Sequence, residues 1–212
     1  MKVLELFAGT RSIGKAFEEK GHDVFSIDWD EKFKNIDWHT DISTITAKDI
    51  IEKFGRPDVI WASPDCTSYS VAAISHHRKR EDDGNLAPIS EYAKFCDMTN
   101  THLLKLITEL NPKYYFIENP RGGLRKMRFM KDLPRYTVTY CQYGDTRMKP
   151  TDIWTNHPNP KFKPMCKNGS PCHEPAPRGS KTGTQGLKGS KERSKIPNAL
   201  CKHIVEICEE RD

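Results

Sequence analysis

The sequence predicts an α/β fold, a doubly wound, Rossmann-like sheet. Two observations carry that prediction. Short apolar runs that read as strands alternate with amphipathic stretches that read as helices. Unusual polar residues then stand just past several predicted strand ends, where sheets of this class bind ligands. In chain order, residues 2–7 read as a buried strand, and Ser12 to Lys20 as a helix with Ser12 as its N-cap. Residues 23–27 are a second strand, and 46–54 a helix ending at Gly55 before Pro57. Asp58 to Ala62 is a third strand, and a long loop follows from 63 to 89. Tyr92, Phe95, Thr99, Leu103, Leu106, Ile107 and Leu110 recur at helical spacing up to Pro112. Lys113 to Ile117, 136–141 and 151–155 are strands. Residues 156–195 place eleven Gly or Pro in forty positions with almost no periodicity. A final helix over about 197–210 carries Leu200, Ile204, Val205 and Ile207.

At 212 residues, with 36% hydrophobic and 30% charged side chains, the chain suits one large domain or a domain with a modest appendage. No run approaches the roughly 20 apolar residues of a membrane helix, which excludes an integral membrane protein of that type. The N-terminal run, interrupted by Glu5, does not read as a signal peptide. Seven cysteines, an odd number, argue against a disulfide framework, so a cytoplasmic protein with reduced thiols is expected. Charge is unevenly spread. Residues 1–75 hold nine Lys/Arg against thirteen Asp/Glu, whereas 147–195 hold eleven against three. A phosphate-binding surface would need such a cationic half, with Lys181, Lys188 and Lys191 among its charges. A solvated loop would look the same.

The strand ends carry the chemistry. Phe7-Ala8-Gly9-Thr10-Arg11-Ser12 is a small-residue turn into a helix, a cradle for a nucleotide or carboxylate, though not a GxGxxG loop. Asp28 can accept from a ribose diol, and Trp29 can stack on a purine or pack the sheet edge. Asp41 can accept from an adenine amino group or cap the next segment. Cys66 follows a strand end in a loop of hydroxyls and is a candidate nucleophile. Glu118 ends a buried strand, where desolvation would raise its pKa; it is a candidate acid, a cap, or an ion-pair partner of Arg121 or Arg125.

In this order, Glu5-Leu6-Phe7-Ala8-Gly9, Asp28-Trp29, Ser63-Pro64-Asp65-Cys66, Glu118-Asn119-Pro120 and Tyr143-Gly144 resemble the cytosine-C5 DNA methyltransferases. The likeness covers roughly residues 2–155, with an echo at Ile196 to Leu200, and the compact form resembles phage or viral members. It implies S-adenosylmethionine as cofactor and a cytosine flipped out of DNA as substrate. Phe7, Gly9 and the following amides would hold the methionine end, Asp28 the ribose, and Trp29 and Asp41 the adenine. Ala8, Thr10, Arg11, Ser12, Ile42 and Pro64 complete the implied cofactor set. Cys66 matches the nucleophile that adds to cytosine C6, and Glu118 the residue that contacts N3 and the amino group. Arg147 or Lys149 would contact the cytosine carbonyl or a phosphate.

The chain departs from the family pattern in places. Its first turn is poorer in glycine, with Arg11 either filling space or reaching the cofactor carboxylate. Asp65 replaces the usual proline before Cys66 and should raise the thiol pKa unless it points to solvent. Arg147 and Lys149 are all that remains of a longer polar block, and Pro120 replaces an aliphatic residue. The expected division is a catalytic domain over 1–155, a basic recognition loop region over 156–195, and a C-terminal helix over 196–212 that returns to the catalytic domain. So short a recognition region can hardly build its own core. It is expected to order on DNA without metal; were zinc to bind, His157, Cys166, Cys172 and His173 are the ligands at hand, although Cys-x5-Cys-His is not a usual tight spacing. RNA cytosine-5 methylation, or a silent nucleic-acid-binding relative, are the alternatives. A phage-encoded enzyme would work in the bacterial host cytoplasm.

Overall fold

Val3, Leu4 and Leu6 are wholly excluded from solvent, as a strand covered on both faces requires. They lie in β1 (Lys2–Leu6), an interior strand of a seven-stranded sheet in a computed structural model that describes residues 1–176 and 189–210. β1 pairs in parallel with β2 (Asp23–Asp28) on one side and β4 (Val59–Ala62) on the other. β3 (Trp38–His39) extends the sheet beyond β2, and β7 (Tyr114–Pro120) beyond β4, both also parallel. Two antiparallel strands close that edge: β9 (Pro150–Thr155) against β7, then β8 (Arg135–Thr139) against β9. The order is β3-β2-β1-β4-β7-β9-β8.

Alternation along the strands divides the core. Leu4, Leu6, Ile60 and Ala62 face the side covered by α2 (Ala47–Lys53) and α4 (Glu91–Leu110), packing with Ile50, Leu103, Leu106 and Leu110. Val3, Val59 and Trp61 face the other side, under α1 (Ser12–Glu19) and α6 (Asn198–Glu209), with Ile13, Phe17, Leu200, Ile204 and Val205. The final helix thus shares the core of the first strand. Glu5 also points to this face. A Cβ on Gly14 would lie 2.2 Å from its Oε2, so glycine lets α1 approach over that carboxyl without displacing it. Burial pushes the Glu5 carboxyl up to about 7.

Several local expectations change. Ser12 is the first helical residue rather than the N-cap; Arg11 caps α1 in the left-handed conformation, with no side-chain capping bond. In α4, Tyr92 and Phe95 are exposed, and the buried face at that end is Ala93, Cys96, Thr99 and Asn100. The spacing was helical, but the helix is rotated there to meet a polar network. The stretch 63–89 is not featureless: it holds a 3-10 turn (Thr67–Tyr69), a short α3 (Ile74–His77), and a hairpin of β5 (Arg78–Arg80) and β6 (Leu86–Pro88). α5 (Ser190–Ser194) precedes α6. Lys181 and Lys188 lie outside the described residues.

A buried cation organises the 63–89 stretch. The Arg78 side chain is fully enclosed and stacks 4.2 Å from the Tyr69 ring centre. Its guanidinium donates to the Ser68 carbonyl at 2.8 Å, to the Leu86 carbonyl at 3.2 Å, and to both Asp97 oxygens at 2.7 and 2.9 Å. The Tyr69 hydroxyl donates to Asp97 at 2.7 Å and accepts from Asn100 at 2.8 Å. One residue therefore ties the turn after Cys66, the hairpin and α4 together. Arg78→Ala leaves Asp97 without its counter-charge and should destabilise the fold by roughly 3–5 kcal/mol, measurable by urea or thermal unfolding.

Candidate active site

Because β1, β2, β3, β4 and β7 are parallel, their carboxyl ends lie on one edge of the sheet. β9 is antiparallel to β7, so its beginning reaches the same edge: Thr151 stands opposite Pro120. That brings the Phe7–Ser12 turn, Asp28, Cys66, Glu118 and Lys149 to one rim. β1 has neighbours reached by connections in opposite directions along the sheet, and the crevice between β1 and β4 is the switch point.

The first turn is tightly wound. Phe7, Gly9 and Arg11 all take positive φ, at 53°, 51° and 59°. The turn is held by the buried Asp28, whose Oδ2 accepts from the Gly9 amide at 2.8 Å while Oδ1 accepts from the Asp30 amide at 2.9 Å. Ala8 is buried, and its carbonyl accepts from the Arg11 amide at 2.7 Å. The Thr10 and Ser12 hydroxyls lie 3.1 Å apart. Of the two roles open to Arg11, the structure displays space-filling: the side chain is buried, folds back along α1 and pairs with Glu18. Trp29 does not pack the sheet edge, since 71% of it is exposed. Asp41 caps the turn Ile42–Thr44, Oδ1 accepting from both the amide and the hydroxyl of Ser43 at 2.8 Å. Ile42 is buried in the core behind it.

On the other side of the crevice, β4 leads into Pro64, Asp65 and Cys66. Pro64 is buried and its carbonyl accepts from Asn119 Nδ2 at 2.9 Å, which fixes the turn that carries Cys66 to the end of β7. A Cβ on Gly122 would meet the Tyr69 carbonyl at 2.6 Å, so the segment after β7 approaches that turn as closely as backbone permits. Asp65 is exposed, and its Oδ1 accepts from the Thr67 amide at 2.7 Å. Even so, its charge reaches the thiol. Burial first, then Asp65 and Glu118, push Cys66 up to about 11; Lys149 pulls in the opposite direction.

Glu118 is buried, and its Oε1 accepts from the Tyr140 hydroxyl at 3.1 Å. Neither Arg121 nor Arg125 is its ion partner; Arg125 forks onto buried Asp152 instead. Arg147 and Lys149 are separated by function. The Arg147 guanidinium is engaged by Asp145, Nε donating to Oδ1 at 2.9 Å and Nη2 to Oδ2 at 2.5 Å. Lys149, with φ of 31°, lies 4.8 Å from the Tyr140 ring centre and interacts electrostatically with both Glu118 and Cys66. Burial lowers its ammonium pKa, and Glu118 opposes that shift. Both cations also donate to the Arg193 carbonyl, at 3.2 and 2.7 Å, so α5 lies across them. Tyr140 and Asn119 were not singled out as functional from sequence. Tyr140 had no motif to mark it, and only the pairing of β7, β9 and β8 brings it to Glu118.

The suggested zinc set is corrected. His157 is buried against Tyr114, its Nδ1 accepting from the Asn159 amide at 3.2 Å and its Nε2 lying 2.9 Å from the Ile207 carbonyl, so both ring nitrogens are used. Cys166, Cys172 and His173 do come together, and the fourth member is Cys141. Arg78, in the basic run His76 to Arg80, is a buried structural residue.

A model of the C-5 cytosine-specific DNA methylase family matches residues 1–137. A Frog virus 3 (isolate Goorha) protein named "Probable DNA (cytosine-5)-methyltransferase" is 27% identical over 229 residues, covering 98% of this chain and 100% of the viral one. Among solved structures, the S. pombe Dnmt2 methyltransferase superposes with a TM-score of 0.51 at 17% identity, over 73% of this chain and 48% of its own. The Entamoeba histolytica methyltransferase EhMeth does so with 0.53 at 15% identity, over 73% and 52%. The chain spans about half the length of these two proteins, and the likeness to them shows the fold.

The electrostatics of the thiol can be read directly. Since the thiolate is the reactive form and its proton is held up to about pH 11, Cys66 alkylation by iodoacetamide should rise about tenfold per pH unit from 7 to near 10. Peptide mass mapping over a pH series would measure it. Asp65→Asn should shift the curve to lower pH, and Lys149→Met to higher pH.

Proposed function

The chain belongs to the C-5 cytosine-specific DNA methylase family, and on that footing we propose that it transfers a methyl group from S-adenosylmethionine to C5 of cytosine in DNA through a covalent Cys66–C6 adduct. The observation that supports this best is the meeting of Cys66, Glu118 and Lys149 beside the β1–β4 crevice.

The residues present fit the cofactor. Asp28 stands at the end of β2 with a buried carboxylate that already binds the turn amide, and Trp29 offers an indole largely free of packing. We assign Asp28 to the ribose, Trp29 to the adenine, and the backbone of Phe7 to Ser12, with Ile42 and Pro64, to the rest of the pocket. Asp41 retains a second carboxylate oxygen for the adenine amino group after its capping bonds. Bound there, S-adenosylmethionine supplies an electrophilic methyl group.

On the substrate side, the cytosine leaves the duplex stack to reach the rim. Cys66 adds to C6 as its thiolate, forming the carbon–sulfur bond and making C5 a nucleophilic, enamine-like carbon. Glu118 contacts N3 and the exocyclic amine and stabilises the charge that addition places on the ring. Tyr140 orients that carboxyl by its hydrogen bond. Lys149 favours the thiolate and meets the cytosine carbonyl or a phosphate, while Arg147 braces the strand that delivers it. Loss of the C5 proton to a base and elimination then free Cys66. We divide the chain into a catalytic unit over 1–155, a DNA-facing segment over 156–195, and a C-terminal part over 196–212 whose helix α6 returns to the catalytic unit. No helix among the described residues is long and apolar enough to cross a membrane, and we place the reaction in the host cytoplasm.

Cys66→Ser should lower turnover by roughly 10⁴-fold or more with cofactor binding nearly unchanged. Wild type should form a covalent complex with DNA bearing 5-fluorocytosine, whose fluorine blocks elimination. Labelled donor incubated with DNA or RNA decides the polymer; binding without transfer to either would reduce the chain to a nucleic-acid-binding relative. Separately, Asp28→Ala and Trp29→Ala should each weaken S-adenosylmethionine binding by roughly 1–3 kcal/mol in calorimetry. Unchanged affinity in both would place the cofactor elsewhere.

A further inference from the structure

Residues 161–176 bury no side chain, yet they follow a defined path over the catalytic body. Polar contacts and one aromatic residue hold them, with Lys161 pairing with Glu210 and Lys163 Nζ donating to the Gln142 carbonyl at 3.1 Å. The Lys163 amide donates to the Tyr143 hydroxyl at 2.9 Å, the Cys166 amide to Thr139 Oγ1 at 3.0 Å, and the Glu174 amide to the Thr146 carbonyl at 2.8 Å. Phe162 packs against the rings of Tyr136 and His203. This is little apolar area for some sixteen ordered residues, whose backbone entropy costs about 1–2 kcal/mol each.

Within that segment, Cys166, Cys172 and His173 turn inward to meet Cys141, which lies in the 3-10 turn Tyr140–Tyr143 after β8. The four ligand atoms lie within 4.8 Å of one another. Cys166 Sγ and Cys172 Sγ are each 3.6 Å from His173 Nδ1, Cys172 Sγ is 3.6 Å from Cys141 Sγ, and Cys141 Sγ is 3.1 Å from Cys166 Sγ. Ligands on a tetrahedral zinc ion with ordinary Zn–S and Zn–N bonds stand about 3.5–3.8 Å apart, which three of these four separations match. The chemistry of the donor set is selective. Three thiolates and one imidazole, with no carboxylate, suit a soft, tetrahedral ion rather than magnesium or calcium.

We infer that Cys141, Cys166, Cys172 and His173 form a structural zinc site that fastens the 161–176 segment to the catalytic body. Four protein ligands leave no open position for water, so the ion is a staple and takes no part in the reaction. It substitutes for the core that a segment this short cannot build. Its position matters: Cys141 follows Tyr140, which bonds Glu118, and the chain from 141 leads through Asp145 and Arg147 to Lys149. Binding displaces the thiol protons to solvent, and no redox change is involved.

The test is metal analysis of the full-length chain purified without added metal. About one zinc per chain is expected, falling below about one fifth in Cys166→Ser and in Cys172→Ser. Cys172 is exposed, so that variant is the less disruptive of the two. Should either variant fail to fold, cobalt exchanged into wild type serves instead: a thiolate-to-cobalt charge-transfer band with intense visible d–d bands marks a tetrahedral thiolate site. Purified protein holding no zinc, giving no such cobalt spectrum, or showing a Cys141–Cys166 disulfide on peptide mapping would overturn the assignment. So would a full zinc equivalent in Cys172→Ser.

Discussion

Parallel pairing of β1, β2, β3, β4 and β7 is the constraint from which the site follows. Side chains that stand 90 residues apart in sequence, Asp28 and Glu118, share one edge only because their strands point the same way. Such pairing needs crossover connections, and the helices that make them must cover both faces of the sheet. The apolar alternation of β1 and β4 therefore serves two cores at once, one under α2 and α4 and one under α1 and α6. The antiparallel β9 uses the same rule in reverse: by running back along β7 it delivers Lys149 from far downstream to the edge where β7 ends.

A sheet edge fixes where strands end but not how the loops beyond them are held, and here buried polar groups do that holding. Arg78 fastens the turn after Cys66 to α4 through Asp97, and Asn119 fastens the turn before it to β7 through the Pro64 carbonyl. Charged hydrogen bonds in a low-dielectric interior are directional, and breaking one leaves an uncompensated group, so they specify a single loop conformation.

At the rim itself the charges are balanced rather than uniformly favourable. Burial first, then Asp65 and Glu118, hold the Cys66 proton, and Lys149 works against them. A thiol held protonated near neutral pH is protected from adventitious oxidation, since the thiolate is the reactive form. Glu118 opposes the thiolate, and Lys149, half-buried and acting electrostatically on both groups, is the counterweight. Its contact with the Arg193 carbonyl joins that balance to the far end of the chain.

Local sequence pattern determined much of this protein. The strands and helices of the α/β sheet, the apolar face of the last helix, and the strand-end positions of Asp28, Cys66 and Glu118 were legible because they depend on side-chain periodicity and on short-range turn chemistry. Ser12 was misplaced as a cap because the left-handed Arg11 that does the capping carries no residue-type signal. The exposed Tyr92 and Phe95 were read as core because helical spacing gives a stripe without saying where a polar network will interrupt it. Nothing in the basic run His76 to Arg80 marks Arg78 as buried, since its partner Asp97 lies 19 residues away on another element. Tyr140 beside Glu118, Lys149 beside Cys66, and Cys141 in place of His157 among the metal-capable residues were decided by tertiary structure alone. Each depends on a contact between segments distant in sequence, and such contacts are set by strand order and register, which a linear pattern of residues does not encode.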